Sequence, residues 1–379
     1  MIKRETFLKQ VKDQFEVHRI VAILGPRQCG KTSIAKEICG PEIQRSHYFD
    51  LENRTDLERL ANPQLVLEQL TGLIVIDEIQ RYPDLFPVLR VLHDMDNSRQ
   101  FLILGSASRE LIKQSSESLA GRIGHIELTP FNISETNDNK KLWIRGGFPN
   151  SFMAESEQKS FAWRTEYIRT FLEQDIPNLG FRIPAPQLMR FWLMLAHYHG
   201  QNFNAHELGC SLDLSGNTVR HYLDILSGTF MVRVLTPWHE NIKKRQVKSP
   251  KIYFRDSGIF HALLDVKDIN GLLVQPKMGA SWEGFAIEQI IQTANTPHCY
   301  FWSVHNQAEL DLLIIKDGKR FGFEFKHTDK PQITKSIKMA MSSLNLDQAM
   351  IVYPGAVSFP LEEKISVLNL PDAAKFFKP

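Results

Sequence analysis

Two groups of residues in this chain have types and spacings that could do chemistry on phosphates. The first is Gly25-Pro26-Arg27-Gln28-Cys29-Gly30-Lys31-Thr32, which fits the spacing G-x-x-x-x-G-K-[ST] and runs into Ser33. Glycines at those positions let backbone N–H groups curl around phosphate, the lysine reaches the β and γ oxygens, and the threonine hydroxyl ligates Mg2+. A helix starting near Ser33 would aim its N-terminal dipole at the same anion. The partner motif is Leu73-Ile74-Val75-Ile76-Asp77-Glu78. Asp77, at the carboxyl end of a buried strand, could hold the Mg2+ shell, and Glu78 is placed to polarise the attacking water. ATP and Mg2+ are the expected ligands, and ATP hydrolysis is the expected reaction. A plain glycine turn and a strand that merely ends in two acids are the bland alternatives. Finding both motifs in one chain argues against them.

Two further residues could belong to that site. Ser106 follows the apolar run Phe101-Leu102-Ile103-Leu104 and would lie beside the other strand ends. Its hydroxyl could reach the γ-phosphate or the lytic water; a turn serine in Gly105-Ser106-Ala107-Ser108 is the equal alternative. Arg122 is a candidate arginine finger supplied by a neighbouring subunit, since such residues stabilise charge on the transferred phosphoryl group. A solvated surface arginine is its alternative. A finger in trans implies a homo-oligomer.

The second group is Asp311, Glu324 and Lys326, on a hairpin folded at Asp317-Gly318. Glu324 and Lys326 are two residues apart and point the same way. If the register holds, Asp311 shares their face in a D…E-x-K arrangement. Two such carboxylates bind a divalent metal while the lysine orients or activates a hydrolytic water. A polar-faced hairpin with cross-strand ion pairs is the alternative.

Between the groups lies a candidate DNA-binding segment. Ala205 to Pro237 reads as helix, turn, helix and a strand pair, with Ser215 capping the second helix. The second helix of such a unit enters the major groove, and Asn217, Arg220 and His221 would be exposed on it. Next comes Lys243-Lys244-Arg245-Gln246-Val247-Lys248-Ser249-Pro250-Lys251, five basic residues of nine with no acid. Lys243, Lys244, Arg245 and Lys248 could hold phosphates. A protein-packing role for the helices, and a solvated face for the charge run, are the alternatives.

The elements that must position these residues follow from hydrophobic patterning. Ile20 to Leu24, Tyr48 to Leu51, Leu73 to Ile76 and Phe101 to Leu104 read as strands, with helical stretches at Ser33 to Ile38, about Leu57 to Leu70, and Leu85 to Leu92. Apolar strands alternating with helices imply a parallel sheet covered on both faces. Ser156 to His199 turns helical, and the last 100 residues or so return to mixed α/β, with helices from about Trp282 and near Ile333 to Leu344, and a strand at Ala349 to Tyr353.

At 379 residues, two or three domains are expected. With 43% apolar and 23% charged residues, wholesale disorder is excluded. Lys+Arg 45 against Asp+Glu 43 leaves +2, which excludes a uniformly basic coat but not a local patch. Four scattered cysteines offer no structural zinc site and suit a reducing cytosol. No apolar run is long enough to span a bilayer, and the start lacks the apolar core of a signal peptide. A soluble, cytoplasmic protein is expected, with no membrane partner.

The P-loop, Ile76-Asp77-Glu78-Ile79-Gln80, Gly105-Ser106-Ala107-Ser108, Leu119-Ala120-Gly121-Arg122 and Gly146-Gly147-Phe148-Pro149 together resemble a prokaryotic AAA-type P-loop ATPase family whose members carry a C-terminal domain of unknown function. The resemblance covers essentially the whole chain. It implies an α/β fold class: an additional-strand AAA-type ATPase with a parallel sheet (1–155), a helical lid and winged-helix middle segment (156–275), and a restriction-endonuclease-like α/β C-terminal domain of the PD-(D/E)xK type (276–379). Glu283 resembles that family's additional helical acid and would join Asp311 and Glu324 as a metal ligand. The expected function is a Mg2+-dependent ATP hydrolase that binds ATP and ADP and acts as an oligomer on DNA, with metal-dependent cleavage as an added activity. The alternative is a nucleotide-switched scaffold with an inactive nuclease-like domain.

Overall fold

The structure, a computed structural model, describes residues 2–40, 47–96, 98–106, 117–239, 248–304 and 307–377. The chain divides into two compact units, residues 1–130 with 228–230, and residues 131–227 with 231–379. The domain limits expected after residues 155 and 275 both fall within the second unit.

The first unit is built on a five-stranded sheet of β1 (Ile20–Gly25), β2 (Tyr48–Asp50), β3 (Gly72–Asp77), β4 (Arg99–Ser106) and β5 (Ile123–Glu127), in the order β2-β3-β4-β1-β5. All its pairings are parallel. Alternate side chains point to opposite faces, and each face has its own helical cover. Ile20, Ala22, Ile74, Ile76, Phe101 and Ile103 pack with Leu85, Phe86, Leu89 and Leu92 of α5 (Leu85–Met95). Val21, Ile23, Val75, Leu102 and Leu104 pack with Phe7 and Val11 of α1 (Glu5–Val17), and with Ile34 and Ala35 of α2 (Lys31–Cys39). The apolar strands are thus buried on both sides, as a doubly covered parallel sheet requires.

The single helical region expected from about Leu57 to Leu70 is two short helices, α3 (Arg54–Arg59) and α4 (Pro63–Glu68). Asn62 restarts the second: its side chain accepts the Leu65 N–H at 3.3 Å, and proline suits the first helical position.

In the second unit, α6 (Glu157–Thr170) and α7 (Ala185–His197) lead to α8 (Ala205–Leu212) and α9 (Gly216–Gly228). Ser215 caps α9, its Oγ accepting the Thr218 N–H at 3.1 Å. An antiparallel pair follows, β6 (Val232–Leu235) with β7 (Lys251–Phe254). Then comes α10 (Met278–Ala294) and a six-stranded mixed sheet, β8 (Cys299–Val304), β9 (Ala308–Lys316), β10 (Lys319–Phe325), β11 (Gln348–Tyr353), β12 (Phe359–Glu362) and β13 (Ile365–Asn369). Its order is β12-β13-β11-β10-β9-β8. The hairpin turns at Asp317 and Gly318, both at positive φ. Among the described residues no helix is long and apolar enough to cross a membrane.

Candidate functional site

The first site forms where β1, β3 and β4 end. Parallel pairing sets Gly25 beside Ser106, and β3 lies on the other side of β4. Ligands of open α/β sheets sit at such carboxyl ends. The loop leaving β1 reverses through Gln28 (φ 62°) and Gly30 (φ 104°), a region glycine adopts without strain. No side chain caps α2 at Gly30, so its first N–H groups are open to an anion. Lys31 is buried and donates from Nζ to Gly25 O at 3.1 Å and Pro26 O at 3.0 Å. Pro26 and Cys29 are buried, Gln28 and Ser33 are exposed, and Arg27 pairs with Glu52 at 3.4 Å. Burial pushes the Cys29 thiol up, so it packs as a neutral side chain and leaves anion binding to the backbone.

Asp77 is the hub of the polar network. Its Oδ2 accepts from Thr32 Oγ1 at 2.9 Å and from the Tyr48 hydroxyl at 2.7 Å, while Oδ1 accepts the Glu78 N–H at 2.9 Å. The Thr32 hydroxyl and Asp77 carboxylate thus meet at one point, a donor set suited to a hydrated Mg2+. Burial, and then the charge of Asp77, hold the Tyr48 phenol well above its ordinary value, so it remains a donor. Glu78 occupies the left-handed region at φ 57°, which for a non-glycine residue costs about 1–3 kcal/mol and recurs at working sites. Burial raises its carboxyl, opposed by Lys31 and by Gln80. Gln80 bridges two strand ends: its Nε2 donates to Glu78 Oε2, and its Oε1 accepts the Ser106 N–H at 3.3 Å. The Ser106 hydroxyl is buried and has no partner among the described residues. A buried hydroxyl left open beside Gly25 is what a phosphate or water ligand would satisfy.

Arg122 lies at the surface, apart from these groups in its own hydrogen bonding. Its Nε and Nη2 form a two-pronged pair with Asp94 at 2.8 and 2.9 Å. That pairing holds the Asp94 carboxyl below its usual range.

The second constellation is brought together within the other unit. Phe323 pairs with Leu312, and the next step of that register sets Asp311 opposite Glu324 on one face. Both are buried. Asp311 Oδ2 accepts the Phe325 N–H at 2.9 Å, and Glu324 accepts from Lys326 Nζ at 3.0 Å and Thr334 Oγ1 at 2.8 Å. Burial, and next the charge of Glu283 on α10, hold the Asp311 carboxyl well above its usual range. A further member is Lys251, with its side chain 5% exposed, its Nζ 2.5 Å from Glu309 and 3.7 Å from Glu283. Lys251, the last basic residue of the run, is itself buried with its ammonium against Glu283 and Glu309, so it is not available to phosphates. Among the described residues, no group of three or more His, Cys, Asp or Glu side chains is arranged to hold a metal ion.

Asn217, Arg220 and His221 are exposed on α9, as is Lys248 before β7; Lys243, Lys244 and Arg245 lie outside the described residues.

An AAA domain matches residues 17–137, and two domains of unknown function, DUF8612 and DUF4143, match residues 136–270 and 278–373. The uncharacterized proteins Rv2008c of Mycobacterium tuberculosis and Mb2031c of Mycobacterium bovis are each 48% identical to this chain over 356 residues, or 92% of it and 80% of their own length. The chain belongs to their family. The uncharacterized protein MJ1544 of Methanocaldococcus jannaschii is similar at 21% identity, over 92% of this chain and 83% of that protein. The Walker-type ATPase PABY2304 of Pyrococcus abyssi shares the fold, with a TM-score of 0.50 at 13% identity, over 70% of this chain and 96% of that one. The fold is that of an AAA-type P-loop ATPase.

Three residues that position the AAA domain's site were given no role in the sequence reading. Arg4 donates to Cys29 O at 3.1 Å and to Thr129 O at 2.8 Å, bracing the P-loop from far off in sequence. Tyr48 and Gln80 contact the two acids. A polar residue at the end of an apolar strand, or just past the acid pair, was the available signal.

Proposed function

We propose that this protein is a Mg2+-dependent ATP hydrolase that works on DNA as a homo-oligomer. The observation that carries the ATPase reading is the convergence of Lys31, Thr32, Asp77, Glu78 and the open Ser106 hydroxyl at three adjacent strand ends. The P-loop backbone and Lys31 hold the phosphates, Lys31 turning from the loop carbonyls to the β and γ oxygens. Thr32 and Asp77 would hold Mg2+, which supplies positive charge to the phosphate oxygens. Glu78 orients the lytic water and takes its proton, and Ser106 hydrogen-bonds that water or the γ-phosphate. Arg122 completes the site of a neighbouring copy once released from Asp94.

Support for DNA comes from the second unit. Two helices followed by an antiparallel strand pair have the order of a winged helix, and α9 presents Asn217, Arg220 and His221 outward, with Lys248 adding positive charge. All four cysteines are free, which supports a reducing, cytoplasmic setting. The test is the ATP turnover rate with and without single-stranded, duplex and branched DNA. Stimulation by one form, with binding that weakens steeply with salt, is expected. A rate indifferent to all three, with no salt-sensitive binding, would refute the DNA reading.

Metal-dependent cleavage at Glu283, Asp311, Glu324 and Lys326 would add a second output. One observation favours instead the nucleotide-switched scaffold with an inactive nuclease-like domain: the lodging of Lys251 against Glu283 and Glu309. Nicking assays with Mg2+ or Mn2+ on wild type and Glu324→Ala separate the two, because cleavage lost in the variant requires the first reading.

A further inference from the structure

We infer that Lys251 is the built-in cation of the Glu283, Glu309 and Asp311 cluster, and that it stands in place of a divalent metal. The strand that carries it is buried along its length, and Lys251 and Tyr253, two residues apart, point to the same face. Lys251 Nζ lies 2.5 Å from Glu309 Oε1 and 3.7 Å from Glu283 Oε1. The Tyr253 hydroxyl donates to that same Glu283 oxygen at 2.5 Å. Asp311 is engaged by the Phe325 N–H, and Glu324 by Lys326 and Thr334. Each acid of the D…E-x-K constellation therefore already serves a protein donor.

A divalent ion does not fit beside that ammonium. Mg2+ demands near-octahedral oxygens at about 2.0–2.1 Å, and an ammonium held between Glu283 and Glu309 takes up space beside the Glu283 carboxylate and opposes the charge of a second cation there. Nor can Lys251 swing aside easily. Glu288 of α10 clamps the strand pair, meeting Arg233 of β6 at 2.6 Å and Arg255, just after β7, at 2.9 Å. Burial alone would raise Glu288, but the two arginines outweigh it and bring it down to about 2. The lysine is thus held in place by a second ion cluster on the same helix. This inference is independent of the ATPase reading, which concerns other residues.

The experiment is a Mn2+ titration of the nucleotide-free full chain, followed by electron paramagnetic resonance, on wild type, Asp311→Asn, Lys251→Met and the Lys251→Met/Asp311→Asn double variant. Wild type and Asp311→Asn should bind the same amount of Mn2+. Lys251→Met should gain about one ion per chain, lost again in the double variant, and its lowered Tm should rise on adding Mn2+. Asp311-dependent Mn2+ binding in the wild type would overturn the inference. So would a folded Lys251→Met chain that gains no ion, or one whose added ion survives Asp311→Asn. If Lys251→Met does not fold, the comparison of wild type with Asp311→Asn still decides.

Discussion

Replacing Tyr48 with phenylalanine removes one hydroxyl from the Asp77 network and keeps the ring. The bond lost is the 2.7 Å donation to Asp77 Oδ2. A hydrogen bond to a charged group contributes about 1.5–3 kcal/mol, which corresponds to roughly 10–100-fold in an equilibrium constant at about 1.4 kcal/mol per decade. Partners that orient metal ligands, when removed, weaken metal affinity by a similar factor of about 10–100. Asp77 keeps the Thr32 hydroxyl and the Glu78 N–H, so the lower end of that range is expected. The assay is steady-state ATP turnover against Mg2+ concentration at saturating ATP. Half-saturating Mg2+ should rise about tenfold with the maximal rate nearly unchanged, the signature of lost binding rather than lost chemistry. An unchanged Mg2+ dependence in a folded variant would refute the positioning role of Tyr48. A lower maximal rate at unaltered Mg2+ dependence would refute it too.

Further outcomes are expected elsewhere in the molecule. His261 is wholly buried, its imidazole pushed down to about 3 by burial and paired with Ile144 O and Ser281 Oγ. Its folded pKa lies below the unfolded value, so its contribution is present above about pH 6.5 and is lost as pH falls toward 3. Urea melts should show the stability gap between wild type and His261→Gln shrinking by about 2 kcal/mol from pH 7 to pH 5; a constant gap would contradict a neutral buried imidazole. Lys31→Ala and Arg122→Ala chains should each be inactive, and mixing them should restore turnover, because one copy supplies the finger and the other an intact P-loop. No recovery in a mixture shown to co-assemble would exclude a finger in trans. Arg220→Ala and Lys248→Ala should each lower the slope of log K against log salt for DNA by about 1, and an unaltered slope would remove those residues from the phosphate contacts.

The parts of the site that were legible in the sequence are those fixed by local spacing. Glycines, lysine and threonine of the P-loop are contiguous, and the hairpin turn at Asp317-Gly318 sets Asp311 and Glu324 in register through neighbouring residues. The parallel sheet was legible because its strands are apolar on both faces. What could not be read depends on long-range contact. Arg4 reaches Thr129, 125 residues away, and α1 and β5 carry no motif of their own. Lys251 looked like the end of a basic run because Lys243 to Lys248 are its neighbours in sequence, whereas Glu283 and Glu309 are its neighbours in space. The Asn62-Pro63 break in the helical stretch after Leu57 was written in the sequence, yet continuous apolar spacing outweighed it.

The most direct test of ATP hydrolysis at this site is the turnover rate of purified wild-type chain beside Lys31→Ala and Glu78→Gln. Lys31 is to hold the β and γ oxygens, so Lys31→Ala should lose both nucleotide binding and turnover. Glu78→Gln should keep binding and lose turnover, because the amide cannot take the proton of the water. Turnover that persists undiminished in Lys31→Ala would contradict the assignment of the P-loop as the site of ATP hydrolysis.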